Sequence, residues 1–290
     1  MKIKENAGYK IFKAIDVLLI ALISIVCLYP MLYVLFASLS NSELFMKHQG
    51  LLFKPLGVTV SSYIQVTKHP MILSGYINTI KVLAGGLIIN LFFTLTGGYV
   101  LSVREFRWRR LLNKLVVFTM LFSGGMVPFY LTVKTVGLYD SYWALVIPVA
   151  INTFNLIIIR TAFESVPLSL SESARLDGAN EFTILVQIVL PLCMPSVAVI
   201  ILYYGVSHWN AWFNAMLFLQ TRQKYPLQLI LREILLQNDT SSMTGGSDTV
   251  GMSDTVKYAV IIVSTLPVLC LYPFLQRYFV KGVMVGAVKG

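Results

Sequence analysis

The sequence predicts an all-α membrane protein with six transmembrane helices. Of its 290 residues, 57% are hydrophobic and only 12% are charged, and the mean hydropathy is +0.74. An ordinary soluble domain carries about twice that fraction of charged residues, so a soluble globular enzyme is disfavoured. The uncharged segments are long enough for helices that cross a bilayer core of about 30 Å, and they lack the alternating polarity of barrel strands.

Six uncharged stretches define the predicted spans. They are Val17–Ser42, Val82–Val103, Leu115–Val133, Ser141–Ile159, Phe182–Thr221 and Tyr258–Gln276. The first follows a basic start, as a signal peptide would, but it is too long for one and no small-x-small cleavage site closes it. It is therefore interpreted as a retained span. The cysteines Cys27, Cys193 and Cys270 all lie in apolar stretches and give no disulfide or metal-site spacing.

The distribution of positive charge predicts the orientation. With the N-terminus inside, the cytoplasmic side receives Lys2, Lys4, Lys10, Lys13, Arg104, Arg107, Arg109, Arg110, Lys114, Arg160, Arg175, Arg277, Lys281 and Lys289. The outer side receives the smaller set of Lys47, Lys54, Lys68, Lys134, Arg222, Lys224, Arg232 and Lys257. Because short cytoplasmic loops carry an excess of Lys and Arg, both termini are expected inside the cell.

Helix-breaking residues interrupt three of the stretches. Gly97-Gly98 in the second span and Ser123-Gly124-Gly125 in the third predict close helix packing or a local break, and a role in gating stays open. The fifth stretch is too long for one span and too short for two. Since Pro191 and Pro195 divide it, we expect a surface helix over residues 181–190 and a crossing that begins near Pro195.

The loop before the fifth span contains two helix-start signals. Ser169 with Glu172 has the spacing of a capping box just after Pro167, Gly178 suits a left-handed helix end, and Asn180 starts a second helix. Two short helices would form a knob that carries Glu164, Glu172, Asp177 and Glu181 against Arg160 and Arg175. We expect such an acidic knob to dock a basic partner, whereas a DNA-reading helix-turn-helix would need basic residues.

The same loop resembles the EAA loop of bacterial ABC importer membrane subunits. The matching residues are Glu172-Ser173-Ala174, Asp177-Gly178-Ala179 and Ile188-Val-Leu-Pro191, followed by Pro195, with Ser173 in place of the first Ala. The whole chain is similar to the smaller, maltose-type permease subunit of carbohydrate importers. The stretches Trp209-Asn-Ala-Trp212 and Met120 to Pro128 resemble subunits for larger plant or algal saccharides.

The resemblance implies a type I importer permease fold in the bacterial cytoplasmic membrane. Its expected parts are a cytoplasmic N-terminus (1–13), a six-span permease domain (14–282) with an EAA coupling loop (163–195) and an outer loop (220–256), and a cytoplasmic tail (283–290). It also implies that Glu172, Ser173, Ala174, Asp177, Gly178 and Ala179 couple the chain to a cytoplasmic ATPase, with Glu172 paired to a basic residue there.

The implied partners form an importer. They are a second, homologous permease subunit in a heterodimer, two copies of a cytoplasmic ABC ATPase, and an extracytoplasmic sugar-binding protein, with no nucleic acid. The chain itself needs no cofactor, because ATP and Mg are used by the partner ATPase. The outer segment from about Gln220 to Val256, with an amphipathic pattern over Leu227 to Leu236 and a flexible Ser241 to Ser253 stretch, is expected to meet the binding protein. The resemblance places the C-terminal tail against the ATPases, and a frayed end is the alternative.

Candidate substrate contacts are aromatic and amide side chains, which suit saccharides. Tyr204, His208 and Trp212 are spaced to share one side of the fifth span, and the other candidates are Trp209, Asn210 and Asn214 there and Asn152 and Asn155 in the fourth span. The two tryptophans have an alternative role as interfacial anchors.

Two other classes of protein are disfavoured by the sequence. An ion-coupled secondary transporter would normally place carboxylates or histidines at mid-membrane, and the sequence offers only His208 there. An intramembrane enzyme would need a catalytic motif within a span, and none is present. The chain also lacks a G-x-x-x-x-G-K-[ST] phosphate loop, so it is expected to be a transport subunit without its own ATPase site.

Overall fold

A computed structural model describes residues 7–244 and 255–270, and for residues 237–244 it describes the backbone only. Within these residues the chain forms α-helices, short 3₁₀ turns and one π-helical segment, Leu185–Val189, and contains no strand. The helices are α1 (Ala7–Ser38), α2 (Ser42–Lys47), α3 (Ser61–Lys68), α4 (Pro70–Ser102), α5 (Arg109–Leu121), α6 (Met126–Thr135), α7 (Trp143–Val149), α8 (Thr153–Glu164), α9 (Leu168–Leu176), α10 (Glu181–Leu192), α11 (Met194–Trp209), α12 (Trp212–Phe218), α13 (Leu227–Thr244) and α14 (Thr255–Cys270).

Two compact units make up the chain. Among the described residues, the first contains residues 7–69 and those described between 233 and 265, and the second contains residues 70–232 and 266–270. In the first unit, α1 projects an apolar surface that is mostly exposed, as expected of a helix in lipid. The rings of Tyr33, Phe45 and Tyr258 meet with centroids 5.4–6.4 Å apart, and Ser62 donates a buried hydrogen bond to Thr255.

Length and composition identify two uninterrupted helices that can cross a membrane, Gly8–Ser38 and Pro70–Ser102. Three further pairs of helices are apolar enough but bent, and counting each pair as one span gives up to five spans in the described part of the chain. The sixth predicted span, Tyr258–Gln276, is described only as far as Cys270 within the shorter apolar helix α14.

The third predicted span is not a straight helix. Its two halves, α5 and α6, are bent by 116°, because the chain leaves helical geometry over the Ser123-Gly124-Gly125 segment before Pro128. The expectation of a local break there is confirmed. The second predicted span, Val82–Val103, was too short, because the corresponding helix α4 begins at Pro70 and has 33 residues.

The division of the fifth stretch is confirmed. Helix α10 ends at Leu192, and α11 begins at Met194 after a bend of 88°. Pro195 lies in the first turn of α11, where its missing N–H removes no helical hydrogen bond. The amphipathic segment that begins at Leu227 is also helical, with Leu227, Ile230 and Ile234 buried.

The second unit is built around α4. One buried cluster packs near Val82 with Leu145, Phe218 and their neighbours, and another packs near Tyr99 with Ile159, Ile184 and their neighbours. Between these two apolar clusters, α4 buries the polar side chains of Asn90 and Thr94 completely. This polar section of α4 faces the candidate site.

The carboxylate of Asp140 links the loop between α6 and α7 to the segment between α12 and α13. Asp140, whose φ of 53° is left-handed, accepts hydrogen bonds from the Thr221 hydroxyl at 2.5 Å and from the backbone N–H groups of Gln220 and Thr221 at 3.0 Å. Its carboxylate also pairs with Lys224 at 2.9 Å. The hydroxyl and backbone N–H of Thr221 lower the pKa of Asp140, and Lys224 adds to this effect.

Two predicted segments lie outside the described part of the chain, the cytoplasmic tail at 283–290 and the flexible Gly245-Gly246 region. The flexible stretch was expected to start at Ser241, but α13 continues in helical geometry through Thr244.

Candidate functional site

The fourth predicted span is a broken helix. Its halves α7 and α8 are bent by 50°, and Ala150, Ile151 and Asn152 between them are not helical. Non-helical backbone at membrane depth needs internal hydrogen-bond partners. Asn90 supplies two of them, because its Nδ2 donates to the carbonyl oxygens of Val149 at 2.8 Å and Ala150 at 2.9 Å.

Helix α11 completes the support of this break. The Tyr204 hydroxyl accepts from the backbone N–H of Asn152 at 2.9 Å and lies 2.7 Å from the Thr94 hydroxyl. His208 Nε2 lies 2.7 Å from Asn90 Oδ1. Gly86 permits this approach, since a Cβ at that position would overlap the imidazole ring of His208. The break is thus held on both sides by fixed side chains.

A cavity of about 350 Å³ opens between the break and α11. This volume lies within the range of small-molecule sites, ~300–1,000 Å³. Phe154 and Tyr203 are half-exposed, with ring centroids 6.1 Å apart. All of the lining side chains lack a carboxylate, an ammonium or a guanidinium group. They are Pro148, Val149, Ile151, Asn152, Phe154, Asn155, Tyr203, Tyr204, Ser207 and His208.

The structure brings together half of the predicted substrate-path residues. Asn152, Asn155, Tyr204 and His208 all line the cavity. Trp209 lies instead on another face of α11 and lines a separate apolar cavity of about 250 Å³ with residues such as Leu83 and Leu87.

The expectation that Trp212 shares the face of Tyr204 and His208 is wrong. Helix α11 ends at Trp209 and a turn intervenes at Asn210 and Ala211, so the i, i+8 spacing does not apply. Trp212 instead stacks under the guanidinium of Arg232, 4.0 Å from its ring centroid. Asn210 is exposed in the turn and Asn214 is half-buried on α12, and neither lines the cavity.

Sequence reasoning did not single out the residues that support and complete this cavity. They are Asn90, Thr94, Phe154, Tyr203 and Ser207. A signal was present for Asn90, because an amide within a long apolar helix usually faces a polar partner inside the protein.

A second candidate surface is the loop at 163–195. Helix α9 begins directly after Pro167 as predicted, but the Ser169–Glu172 capping box is wrong, because no side chain caps this helix. Gly178 has the predicted left-handed φ of +82°. Asn180 caps α10, accepting from the Thr183 backbone N–H at 2.8 Å.

Ion pairs reduce the acidic charge expected of the knob. Glu164 pairs with both Arg109 and Arg160, and Glu181 pairs with Arg175 at 2.8 Å. The expectation that only Arg160 and Arg175 oppose the four carboxylates is therefore wrong, since Arg109 also reaches Glu164 from a different segment of the chain. Two exposed carboxylates, Glu172 and Asp177, keep the knob locally acidic.

The Glu181 carboxylate joins the loop to α4. It accepts from Arg175 and, at 2.5 Å, from the Tyr99 hydroxyl. The hydrogen bond from Arg175, followed by that from Tyr99, lowers the pKa of Glu181. Ala174 and Ala179 pack against the buried cluster around Tyr99. The knob is thus fixed to the helices behind it.

The tip of the knob is exposed and partly apolar. Leu176 is 89% exposed, the highest value among the large hydrophobic residues described, and it stands between Glu172 and Asp177, with Ser173 also exposed. An apolar side chain flanked by acidic groups is typical of a surface that a partner covers.

A helical membrane protein with broken spans, a polar cavity at one break and an exposed two-helix loop has the architecture of a transporter membrane subunit. Residues 94–285 match the family described as the binding-protein-dependent transport system inner membrane component. The chain belongs to this family, and its fold is that of an ABC importer permease.

Similar proteins agree with this assignment. Protein LplC of Bacillus subtilis is 39% identical over 97% of this chain and 96% of its own length. The polygalacturonan/rhamnogalacturonan transport system permease protein YtcP of the same organism is 41% identical over 92% of this chain and 94% of its own. A crystal structure of a bacterial ABC transporter involved in the import of the acidic polysaccharide alginate contains a chain that is 33% identical, with a TM-score of 0.86, and the match covers 96% of this chain and 100% of that one.

Proposed function

We propose that the chain is the membrane-spanning subunit of an ATP-driven importer of oligosaccharides derived from plant or algal polysaccharides. Its family depends on binding proteins, and its relatives include a permease named for polygalacturonan and rhamnogalacturonan and a subunit of an alginate importer. It forms half of the translocation path in the cytoplasmic membrane, and a second permease forms the other half. Two cytoplasmic ATPases use ATP and Mg, and an extracytoplasmic protein delivers the sugar.

One observation carries the coupling part of this proposal: the knob is exposed at its tip and fixed at its base. Leu176 and the carboxylates of Glu172 and Asp177 are available to a partner, whereas Glu181 and Ala174 tie the knob to the core. A knob fixed against the membrane helix α4 transmits a rigid-body motion of the ATPase better than a loose loop.

Charge reversal at the tip tests the coupling role. Glu172→Lys should lower co-purification with the ATPase and uncouple ATP hydrolysis from uptake, because it opposes a basic docking pocket. Gly178→Val should act in the same direction, since a β-branched residue resists φ +82°. Glu43→Lys, an equal reversal at an exposed site on α2, is the control. Normal co-purification and uptake for Glu172→Lys would refute the coupling role.

The cavity at the broken span is proposed as part of the sugar path. Half-exposed aromatic rings can contact the apolar face of a sugar, and amides and hydroxyls can bond its hydroxyl groups. Phe154 and Tyr203 supply the rings, while Asn152 and Ser207 lie beside them.

Removal of a ring tests this path. Tyr203→Ala should lower uptake several-fold while leaving ATPase activity in the absence of sugar intact, because the ring is exposed and its removal opens no core cavity. Phe92→Ala, at a similarly exposed aromatic position on α4, is the control. Equal uptake by the two variants would exclude Tyr203 from the path.

The outer segment at 220–256 is proposed to receive the binding protein. Within this segment, helix α13 (Leu227–Thr244) is longer than the amphipathic helix predicted over Leu227 to Leu236. Shortening residues 240–253 should abolish stimulation of ATPase activity by the loaded binding protein while assembly of the importer is kept. Full stimulation of the shortened importer would assign delivery to another surface.

A further inference from the structure

Helix α8 begins at the wall of the cavity. Ile151, Asn152, Phe154 and Asn155 all line it, so the first turn of this 12-residue helix borders the open space. The Asn152 side chain accepts one first-turn N–H, that of Asn155 at 3.1 Å. The backbone N–H groups at the start of a helix otherwise lack internal partners and carry partial positive charge.

The Asn155 side chain provides a second, independent sign of a ligand. Asn155 is 3% exposed and lines the same cavity, yet its side-chain amide has no hydrogen bond to any residue in the described ranges. The amide is not among the described polar atoms that are sealed from solvent without a partner, so it is reachable from the cavity that Asn155 lines. A ligand in the cavity can therefore accept a hydrogen bond from this amide in place of water.

The charge distribution around the cavity indicates which kind of hydrogen-bond acceptor it binds. Its lining contains no carboxylate, ammonium or guanidinium group, and its one imidazole, that of His208, lies with Nε2 2.7 Å from Asn90 Oδ1. The α8 N-terminus therefore adds positive potential there without an opposing acidic side chain. An anion is favoured at such a terminus. The aromatic pair of Phe154 and Tyr203 next to it suits a sugar ring rather than a bare inorganic ion.

The cavity is also preformed. Asn90 and Tyr204 already satisfy the backbone groups of the break on the protein side, so the α8 terminus does not have to reorganise to meet a ligand. Preorganised donors bind more tightly than donors that must be ordered on contact.

We propose that this cavity binds the carboxylate of a uronate residue, with Asn155 Nδ2 and the first-turn N–H groups of α8 as donors. This inference rests on the proposed sugar path and narrows its substrate to acidic oligosaccharides. The sugar ring contacts Phe154 and Tyr203, and the carboxylate approaches the start of α8. Asn155 is then a specificity-determining residue that distinguishes acidic from neutral sugars.

Thiol protection in the assembled importer tests the site without depending on delivery by the binding protein. Ser207→Cys places a thiol on the cavity wall, in a background with Cys27→Ala, Cys193→Ser and Cys270→Ala. The rate of reaction with neutral methyl methanethiosulfonate is measured with trimers of galacturonate or mannuronate, and with the matching neutral trimers of galactose or mannose. We expect the uronate trimers to slow the reaction about tenfold and the neutral trimers to have little effect.

Two substitutions then address Asn155 itself. Asn155→Asp keeps the shape and suits the first turn of a helix, but it places a negative charge beside the bound carboxylate and should abolish protection. Asn155→Leu removes the amide while keeping the branching of the side chain and should weaken protection several-fold. An unprotected reaction rate equal to that of the parent shows that the cavity of each variant is intact.

The possible failures are distinct. Equal protection by neutral and acidic trimers would overturn the carboxylate site and leave the sugar path standing. Protection by neither would overturn both the inference and the sugar path through this cavity. Undiminished protection in both Asn155 variants would show that the carboxylate is bound elsewhere.

Discussion

Replacing Asn90 with leucine should destabilise the protein more than any comparable change on the lipid-facing side of α4. Asn90 makes three close contacts, to the carbonyls of Val149 and Ala150 and to His208 Nε2. Leu has the same branching and number of side-chain heavy atoms but satisfies none of them. Hydrogen bonds between membrane helices contribute about 0.6 kcal/mol on average and at most about 1.7 kcal/mol. Three lost bonds therefore predict about 2–5 kcal/mol of destabilisation.

The free energy of unfolding is measured by titrating the purified protein in mild detergent with a denaturing detergent. Thr96→Val is the control, because Thr96 lies on the same helix, is only partly buried, and donates only to carbonyls of its own helix, at 2.6 Å for Phe92. Its loss should cost well under 1 kcal/mol. A cost for Asn90→Leu equal to that of Thr96→Val would refute the claim that Asn90 supports the broken span.

Two further predictions follow from the ionised groups. Tyr99→Phe removes the hydroxyl that donates to Glu181 while keeping the ring, so it should lower the amount of sugar transported per ATP hydrolysed with assembly unchanged; an unaltered ratio would contradict the link between the knob and α4. Asp140→Asn should lower stability at neutral pH by weakening the contacts with Thr221 and Lys224. Because the pKa of Asp140 is depressed in the folded protein, this difference from wild type should be full above about pH 5 and shrink as the pH falls below about 4. A difference that stays constant with pH would contradict this assignment.

Local signals in the sequence predicted the local structure well. Gly178 and Asn180 defined the turn between α9 and α10 because backbone conformation and capping depend on single residues and their near neighbours. The two prolines located the start of α11 for the same reason. The capping-box prediction was wrong because the helix begins at Leu168, with Pro167 in the N-cap position. Ser169 is therefore already a residue of the first helical turn and does not occupy the capping position.

Contacts between distant segments could not be read from the sequence. The sequence around Glu164 does not indicate its partner Arg109, which lies 55 residues away along the chain. The net negative charge of the knob was therefore overestimated. Trp212 was misplaced because helical periodicity was extended across a turn that no Gly or Pro marks. The cavity itself needs three separate helices, and only its amide and aromatic residue types were visible beforehand.

The measurement that tests the account most directly is uptake by the complete importer in proteoliposomes. Radiolabelled galacturonate trimer and the loaded binding protein are placed on one side, with Mg·ATP supplied to the ATPases on the other. The account predicts accumulation that requires ATP hydrolysis, persists when a protonophore collapses the ion gradient, and is lost with Glu172→Lys. Accumulation driven by a proton or sodium gradient without ATP would contradict it and identify the chain as an ion-coupled transporter.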